Sequence, residues 1–259
     1  MVLLSNFKAN FKVRLRFMLF SIILLTTGSS ASIAAPNSRI RCSPELLHQV
    51  PSPHQIKLAE LLQRITGLTQ LTFTPEGFLV VDTDEFIQGS ATAREVIREV
   101  LAANATMEIQ DHSRSESINF GQFETIILSK HDQPSLTQTR WDVRLDFDDF
   151  IKMSAPPEVR ESFNEGFVFL HEVLHGLGKA DAKQVGQIGE CEEVVNQMRH
   201  ELGLVLRTQY HSERVSTTGN FHRQRLPFKR LVSLGGKLSW KESYLYFLPG
   251  RKTRTMEIN

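Results

Sequence analysis

The chain has 259 residues, 41% of them hydrophobic and 23% charged, with a formal net charge of +1. This composition supports one sizeable globular domain or two small ones and excludes a disordered, fibrous or repeat protein. The near-neutral balance gives no general attraction to nucleic acid.

The first residues read as an export signal. Lys8, Lys12, Arg14 and Arg16 precede an apolar run from Phe17 to Thr27, and Ser32-Ile33-Ala34 offers small residues at the two positions a signal peptidase reads. Cleavage is expected after Ala34, making the protein secreted or periplasmic. The alternative is an N-terminal membrane anchor. The run to Ala35 is just long enough to span, but Thr26, Thr27, Ser29, Ser30 and Ser32 weaken it. Removing residues 1–34 takes four positive charges and no negative ones, so +1 becomes −3 for residues 35–259.

Residues 36–52 read as a loose terminus. His54 to Thr66 has the apolar spacing of an amphipathic helix, and Leu71 to Val81 that of a hairpin turning at Thr74-Pro75-Glu76-Gly77. A second helix is expected over Ala91–Ala103. Strands are expected at Met107–Ile109, Phe123–Leu128 and Trp141–Phe147, with a polar surface loop from Asp111 to Gly121 between the first two. In the third strand Val143, Leu145 and Phe147 alternate with charged residues. Val159, Phe163, Phe167, Leu170, Leu174 and Leu177 then keep a 3.6-residue period. Ser154, Pro156, Pro157 and Glu158 supply start signals for that helix, and Gly176 and Gly178 stop signals. A further helix is expected from Gly189 to Leu202, and strands at Leu231–Leu234 and Tyr244–Leu248. The order predicts an α+β fold. A small antiparallel or mixed sheet would pack on the 3.6-period helix and on the helix behind it. Residues 35–259 read as a single domain with its core at 140–212 and basic strands at 213–259.

The last segment is the most uneven in charge. Ser212 to Asn259 holds ten Lys/Arg against three Glu. It reads as a solvated face of C-terminal strands, or as a surface for an acidic partner or a membrane. Only Cys42 and Cys191 are present. An oxidising compartment invites one disulfide between them; the alternative is two free thiols, with Cys191 buried.

The most informative stretch is His171-Glu172-Val173-Leu174-His175. Residues four apart lie on one helix face, so both imidazoles can hold one zinc ion, with Glu172 beside the water that the zinc would bind. A catalytic zinc site takes a third protein ligand and leaves one position open. The following helix offers Glu192, with Glu193 and Glu190 as further candidates in the same turn. A competing choice is Asp181, in His171-Glu-x-x-His175-x-x-Gly178-x-x-Asp181, where Gly178 would allow the chain to turn back to the metal. That spacing normally comes with a downstream methionine turn, and no convincing one is present. Tyr210, His211 and His200 are the nearest candidates to stabilise an oxyanion, with Tyr210 preferred.

The H-E-x-x-H motif, followed by Gly189-Glu-Cys-Glu-Glu-Val-Val-Asn196 and by Arg199-His-Glu201-Leu202-Gly203-Leu204-x-Leu-Arg207-x-x-Tyr210, resembles a group of bacterial zincin-type metallopeptidases. The group includes secreted effector-type zinc proteases. The resemblance covers roughly residues 160–212, and Val205 stands where the pattern prefers proline. It implies zinc, a glutamate ligand from the second helix, and hydrolysis of peptide bonds in a protein or peptide substrate. The expected function is thus an exported zinc metallopeptidase, with Glu172 as general base. The alternative is a non-catalytic, zinc-stabilised exported binding domain on the same core.

Overall fold

The computed structural model describes residues 39–42, 52–73, 78–81, 85–103, 105–113, 115–130, 133–216, 222–234 and 237–248. The expected export signal, 1–34, lies outside them, as does the hairpin turn at 74–77. The described residues belong to one compact unit.

A short strand β1 (Arg39–Cys42) precedes helix α1 (Pro53–Thr66). The helix starts where Ser52 and Gln55 cap each other reciprocally, with Pro53 at the first helical position. Strands β2 (Leu71–Phe73) and β3 (Leu79–Val81) pair antiparallel, and α2 (Ala91–Ala102) starts at the Ser90 cap. Helices α1 and α2 and the β2–β3 pair agree with the expected ones to within a residue, whereas β1 lies in the stretch 36–52 expected to be a loose terminus and is held there by pairing with the strand Thr106–Asp111. The main sheet adds β4 (Thr106–Asp111), β5 (Gly121–Lys130) and β6 (Gln133–Leu145) to β1, in the order β1-β4-β6-β5. It is parallel across β1, β4 and β6 and antiparallel between β6 and β5, which leaves β5 at the edge.

Two expectations are corrected by caps. The strand expected to reach Phe147 stops at Leu145. The Asp146 side chain accepts from the backbone N–H of Asp149 and starts a short helix, α3 (Phe147–Lys152). The single helix expected through 158–177 is two: α4 (Pro157–Ser162) and α5 (Glu165–Gly176). Phe163 leaves helical geometry at φ −135°, and Asn164 Oδ1 takes the N–H groups of Gly166 and Phe167 at 3.0 and 3.3 Å. The apolar period runs through the break because Phe163 stays buried.

Helix α5 is the centre of the molecule. Phe167, Phe169, Leu170, Val173 and Leu174 are all buried, so apolar contact surrounds it instead of following one stripe. Each such side chain removed from water contributes about 1.5–3 kcal/mol before entropy is counted. Helices α1 and α2, strands β5 and β6, and α6 (Glu190–Glu201) pack around it.

The chain closes with β7 (Leu206–Arg207), β8 (Glu213–Ser216), β9 (His222–Leu234) and β10 (Lys237–Phe247). All three of the others pair antiparallel with β9. The strands expected at 231–234 and 244–248 are the ends of these longer ones, whose remaining stretches are mostly exposed and rich in Lys and Arg. Phe163, Phe228 and Phe247 meet Phe120 and Phe150 in a cluster of mostly edge-to-face rings that joins β9 and β10 to α3 and to the residues just before β5 and just after α4. The architecture is α+β with small mixed sheets.

Candidate metal centre

His171 and His175 lie one turn apart near the end of α5, with rings 5.4 Å apart and nearly perpendicular. Beyond the helix, Gly178 takes φ +81°, a left-handed conformation that glycine adopts without cost. The chain then folds back, and Asp181 bridges to Gly189 ahead of α6. This return carries one carboxylate to both histidines. Asp181 Oδ1 is 3.0 Å from Nε2 of His171, and Oδ2 is 3.3 Å from Nε2 of His175. Of the candidate third ligands, Asp181 is thus the one facing both imidazole Nε2 atoms.

Glu192 is held differently. It is fully buried, with Arg199 bonded to one oxygen and Arg207 to the other at 2.9 Å. Its Oε2 also lies 3.4 Å from Nδ1 of His171, the ring nitrogen facing away from Asp181. That contact is too long and misaligned for a good hydrogen bond, and Nδ1 is one of three buried side-chain nitrogen or oxygen atoms among the described residues left without one. Nδ1 of His175 has the Lys179 carbonyl at 3.1 Å. Each histidine therefore has an acceptor on its Nδ1 side and leaves Nε2 for the centre, the arrangement that outer partners impose on metal-binding histidines. Glu193 and Glu190 are exposed, and Glu190 accepts from the Ala180 N–H at 3.0 Å.

Burial opposes charge on Glu192, yet Arg199 and Arg207 hold its carboxyl well below the usual range. With Glu192 so neutralised, Asp181 and Glu172 remain as the negative charges of the centre. Burial pushes the Glu172 carboxyl up, against the pull of the two histidines. Asp181 is kept ionised by both imidazoles, although burial works the other way. Burial also disfavours a charged His171, but Asp181 and Glu192 raise it to about 9. The pocket thus favours positive charge between the histidines and the carboxylates. Two imidazoles and a carboxylate are a donor set that suits a divalent transition metal.

Cys191 completes the group. One potential ligand atom from each of His171, His175, Asp181 and Cys191 lies within 4.8 Å of the others. The thiol is free and buried, so Cys191 is in no disulfide, while the Cys42 side chain lies outside the described residues. Burial, then the Asp181 charge, pushes the thiol up to about 12. Its sulfur sits 3.6 Å from Nδ1 of His175, on the side away from the Nε2 that faces Asp181. The Nε2 geometry therefore favours a three-ligand set without the sulfur.

Tyr210 stacks flat on His171, with centroids 5.5 Å apart and planes 7° apart, and its hydroxyl reaches Asp181. Burial first, and Asp181 next, push the phenol well above its ordinary range. His211 Nε2 donates to the Ala182 carbonyl at 2.9 Å and its ring packs edge-on to Tyr210, while His200 is exposed in the last turn of α6. Beside the centre opens a cavity of about 210 Å³. Phe163, Phe167 and Phe247 line it together with His171, Glu172 and Tyr210. Gly121, the first residue of β5, closes against α5 so tightly that a Cβ would lie 2.6 Å from Val168 Cγ1 and 3.0 Å from Glu172 Oε1.

Gly121 and the Arg199–Glu192–Arg207 clamp were not legible as parts of the site. The arginines stand in the sequence pattern that carried the resemblance, but nothing in their spacing shows that they share one carboxylate. Comparison with family models, curated proteins and solved structures found no match to this chain.

Proposed function

We propose that the protein is an exported zinc metallopeptidase. The observation that carries the proposal is the convergence of Nε2 of His171, Nε2 of His175 and both oxygens of Asp181, with Glu172 buried alongside at the wall of a cavity. In this reading His171, His175 and Asp181 hold the ion, and Glu192 orients His171. A zinc ion there supplies Lewis-acid activation of water and of the scissile carbonyl. Glu172, with its carboxyl raised by burial, accepts the proton of the attacking water and returns it to the leaving amine. Tyr210, with its hydroxyl at the edge of the centre, donates to the developing oxyanion. The edge strand β5 begins beside Glu172, and Phe123 packs 5.9 Å from His175. A substrate in extended form can add to such an edge through backbone hydrogen bonds. Export rests on the basic and apolar character of residues 1–34.

The test is Glu172→Gln. It should keep about one zinc per chain by elemental analysis and lose peptide hydrolysis by at least about a hundredfold. His171→Ala should lose the metal. Full zinc retention in His171→Ala, or full activity in Glu172→Gln, defeats the proposal.

A second reading rests on Cys191. If its sulfur joins His171, His175 and Asp181, four ligands close the site and the ion is structural, as in a zinc-stabilised binding domain. Cobalt substitution separates the two. A thiolate-to-cobalt charge-transfer band that disappears in Cys191→Ser marks the closed site; its absence marks the open one.

A further inference from the structure

The paired strands β9 and β10 run on beyond the rest of their sheet. Strand β7 stops pairing at Lys229, and β8 pairs only with residues 222–225. From there to Leu234 and Lys237 the described residues form a two-stranded ribbon. Directly opposed residues share a face, so Leu231 lies beside Trp240 and Ser233 beside Leu238. Leu231, Leu238 and Trp240 are 49%, 70% and 57% exposed on that one face. Single exposed apolar side chains are ordinary, but three together on a projecting ribbon form a patch.

Apart from Glu242, which pairs across from Lys229, the charge on this part of the ribbon is positive. Lys229 lies over the Trp240 ring, its Nζ 4.7 Å from the centroid. Arg230 and Lys241 oppose each other across the other face, and both are exposed, as is Lys237. Glu242 is the one acid on this part of the ribbon, and Tyr244 Oη donates to it at 2.7 Å. Like charges set opposite one another destabilise a strand pair, so Arg230 beside Lys241 is costly unless an anionic surface lies against them.

The geometry points to a docking element for an anionic lipid bilayer, with the ribbon entering the headgroup layer lengthwise so that both of its faces meet lipid: Trp240, Leu238 and Leu231 on one face reach the apolar boundary with Lys229 beside them, and Arg230, Lys237 and Lys241 on the other face meet the phosphates. Trp sits preferentially at the membrane interface, and Lys and Arg extend their apolar stems while keeping the charge at the headgroups. A polyanion such as nucleic acid would engage the charge but gives no reason for the exposed leucines. Among the described residues no helix is long and apolar enough to cross a membrane, so the contact is with the surface. The surface is separate from the metal centre and does not depend on its assignment.

The test uses the full chain, wild type and variants carrying the same residues 1–34, with phosphatidylglycerol-containing vesicles bearing bromine-labelled acyl chains. Trp141 is buried in the core, so quenching reports on Trp240. Wild-type emission should shift to the blue and be quenched. Leu238→Ser should weaken the quenching several-fold, and in cosedimentation with the same vesicles Trp240→Ser should reduce binding several-fold and Arg230→Glu with Lys241→Glu should cut it at least about tenfold. Absence of quenching overturns the proposal, as does equal quenching by phosphatidylcholine vesicles. So does retention on a DNA duplex that is unaffected by Trp240→Ser and Leu238→Ser. A concentration-dependent blue shift without lipid also overturns it, because the patch then meets a second copy of the chain.

Discussion

Glu192 and His171 face each other across 3.4 Å, and neither faces the other freely: Arg199 and Arg207 fix the carboxylate, and the α5 core and Tyr210 fix the ring. In the proposed reading the pair separates a ligand from the group that aims it. Glu192→Gln should weaken zinc binding about 10- to 100-fold without abolishing it, the usual scale for an outer partner. Asp181→Ala should release the metal outright. Competition with a chelator measures both. The opposite ranking makes Glu192 the ligand and returns Asp181 to the loop.

Glu192→Ala carries a further cost. It leaves two guanidinium groups without their shared carboxylate, and Arg199 is fully buried. Breaking a buried pair on one side destabilises by about 3–5 kcal/mol. Urea unfolding of the metal-free protein should show this loss in Glu192→Ala. A loss below about 1 kcal/mol would mean that the clamp is wetter than its burial indicates.

Gly121→Ala tests the closeness of β5 to the base. The added methyl must displace Val168 or the Glu172 carboxyl. Zinc content should stay at one per chain while hydrolysis falls about tenfold or more, since small misplacements of a catalytic group are expensive. Stability should drop by about 1–3 kcal/mol from overpacking.

The Asp149 carboxyl gives a pH signature away from the metal. Burial first, and the charge of Asp146 next, raise it from an ordinary 3.8 to about 6, although the Phe120 N–H bonds to it at 3.2 Å. The folded state therefore binds this proton more tightly than the unfolded chain does. Its contribution to stability falls as pH rises from about 4 to about 6 and stays low above that. Asp149→Asn should stabilise the protein at pH 7.5 by about 1 kcal/mol, after allowance for screening, and make no difference near pH 3.5. Thermal melts at the two pH values decide it. Equal effects at both would remove the ionisation argument.

Asn164→Ala removes the cap that starts α5. A drop of about 1 kcal/mol is expected, with metal content unchanged, because the histidines sit at the other end of the helix. Loss of zinc in this variant would show that the helix start and the centre are coupled.

Much of this architecture was legible. His171 and His175 announced themselves by their spacing, and α1, α2 and α6 by apolar period, because these are local signals. Asp181 was legible only as a rival, since its approach depends on the left-handed turn at Gly178 and on the docking of residues 181–189 against α6. Glu192 was expected as the third ligand but lies behind His171, because it is held by Arg199 and Arg207, too far along the chain for spacing to register. The break at Phe163–Asn164 was hidden because the buried face continues through it. The ribbon of β9 and β10 was only half visible, because the alternation at Leu238 and Trp240 is short and is broken by Glu242.

The clamp on Glu192 also sets an order of events. His171, His175 and Asp181 are synthesised early, but the carboxylate behind His171 stays uncompensated until Arg199 and Arg207 have emerged, and Tyr210 comes later still. In the proposed reading, a chain that ends before β7 holds His171, His175 and Asp181 without the groups that orient them, so it binds the metal more weakly than the chain folded through Arg207.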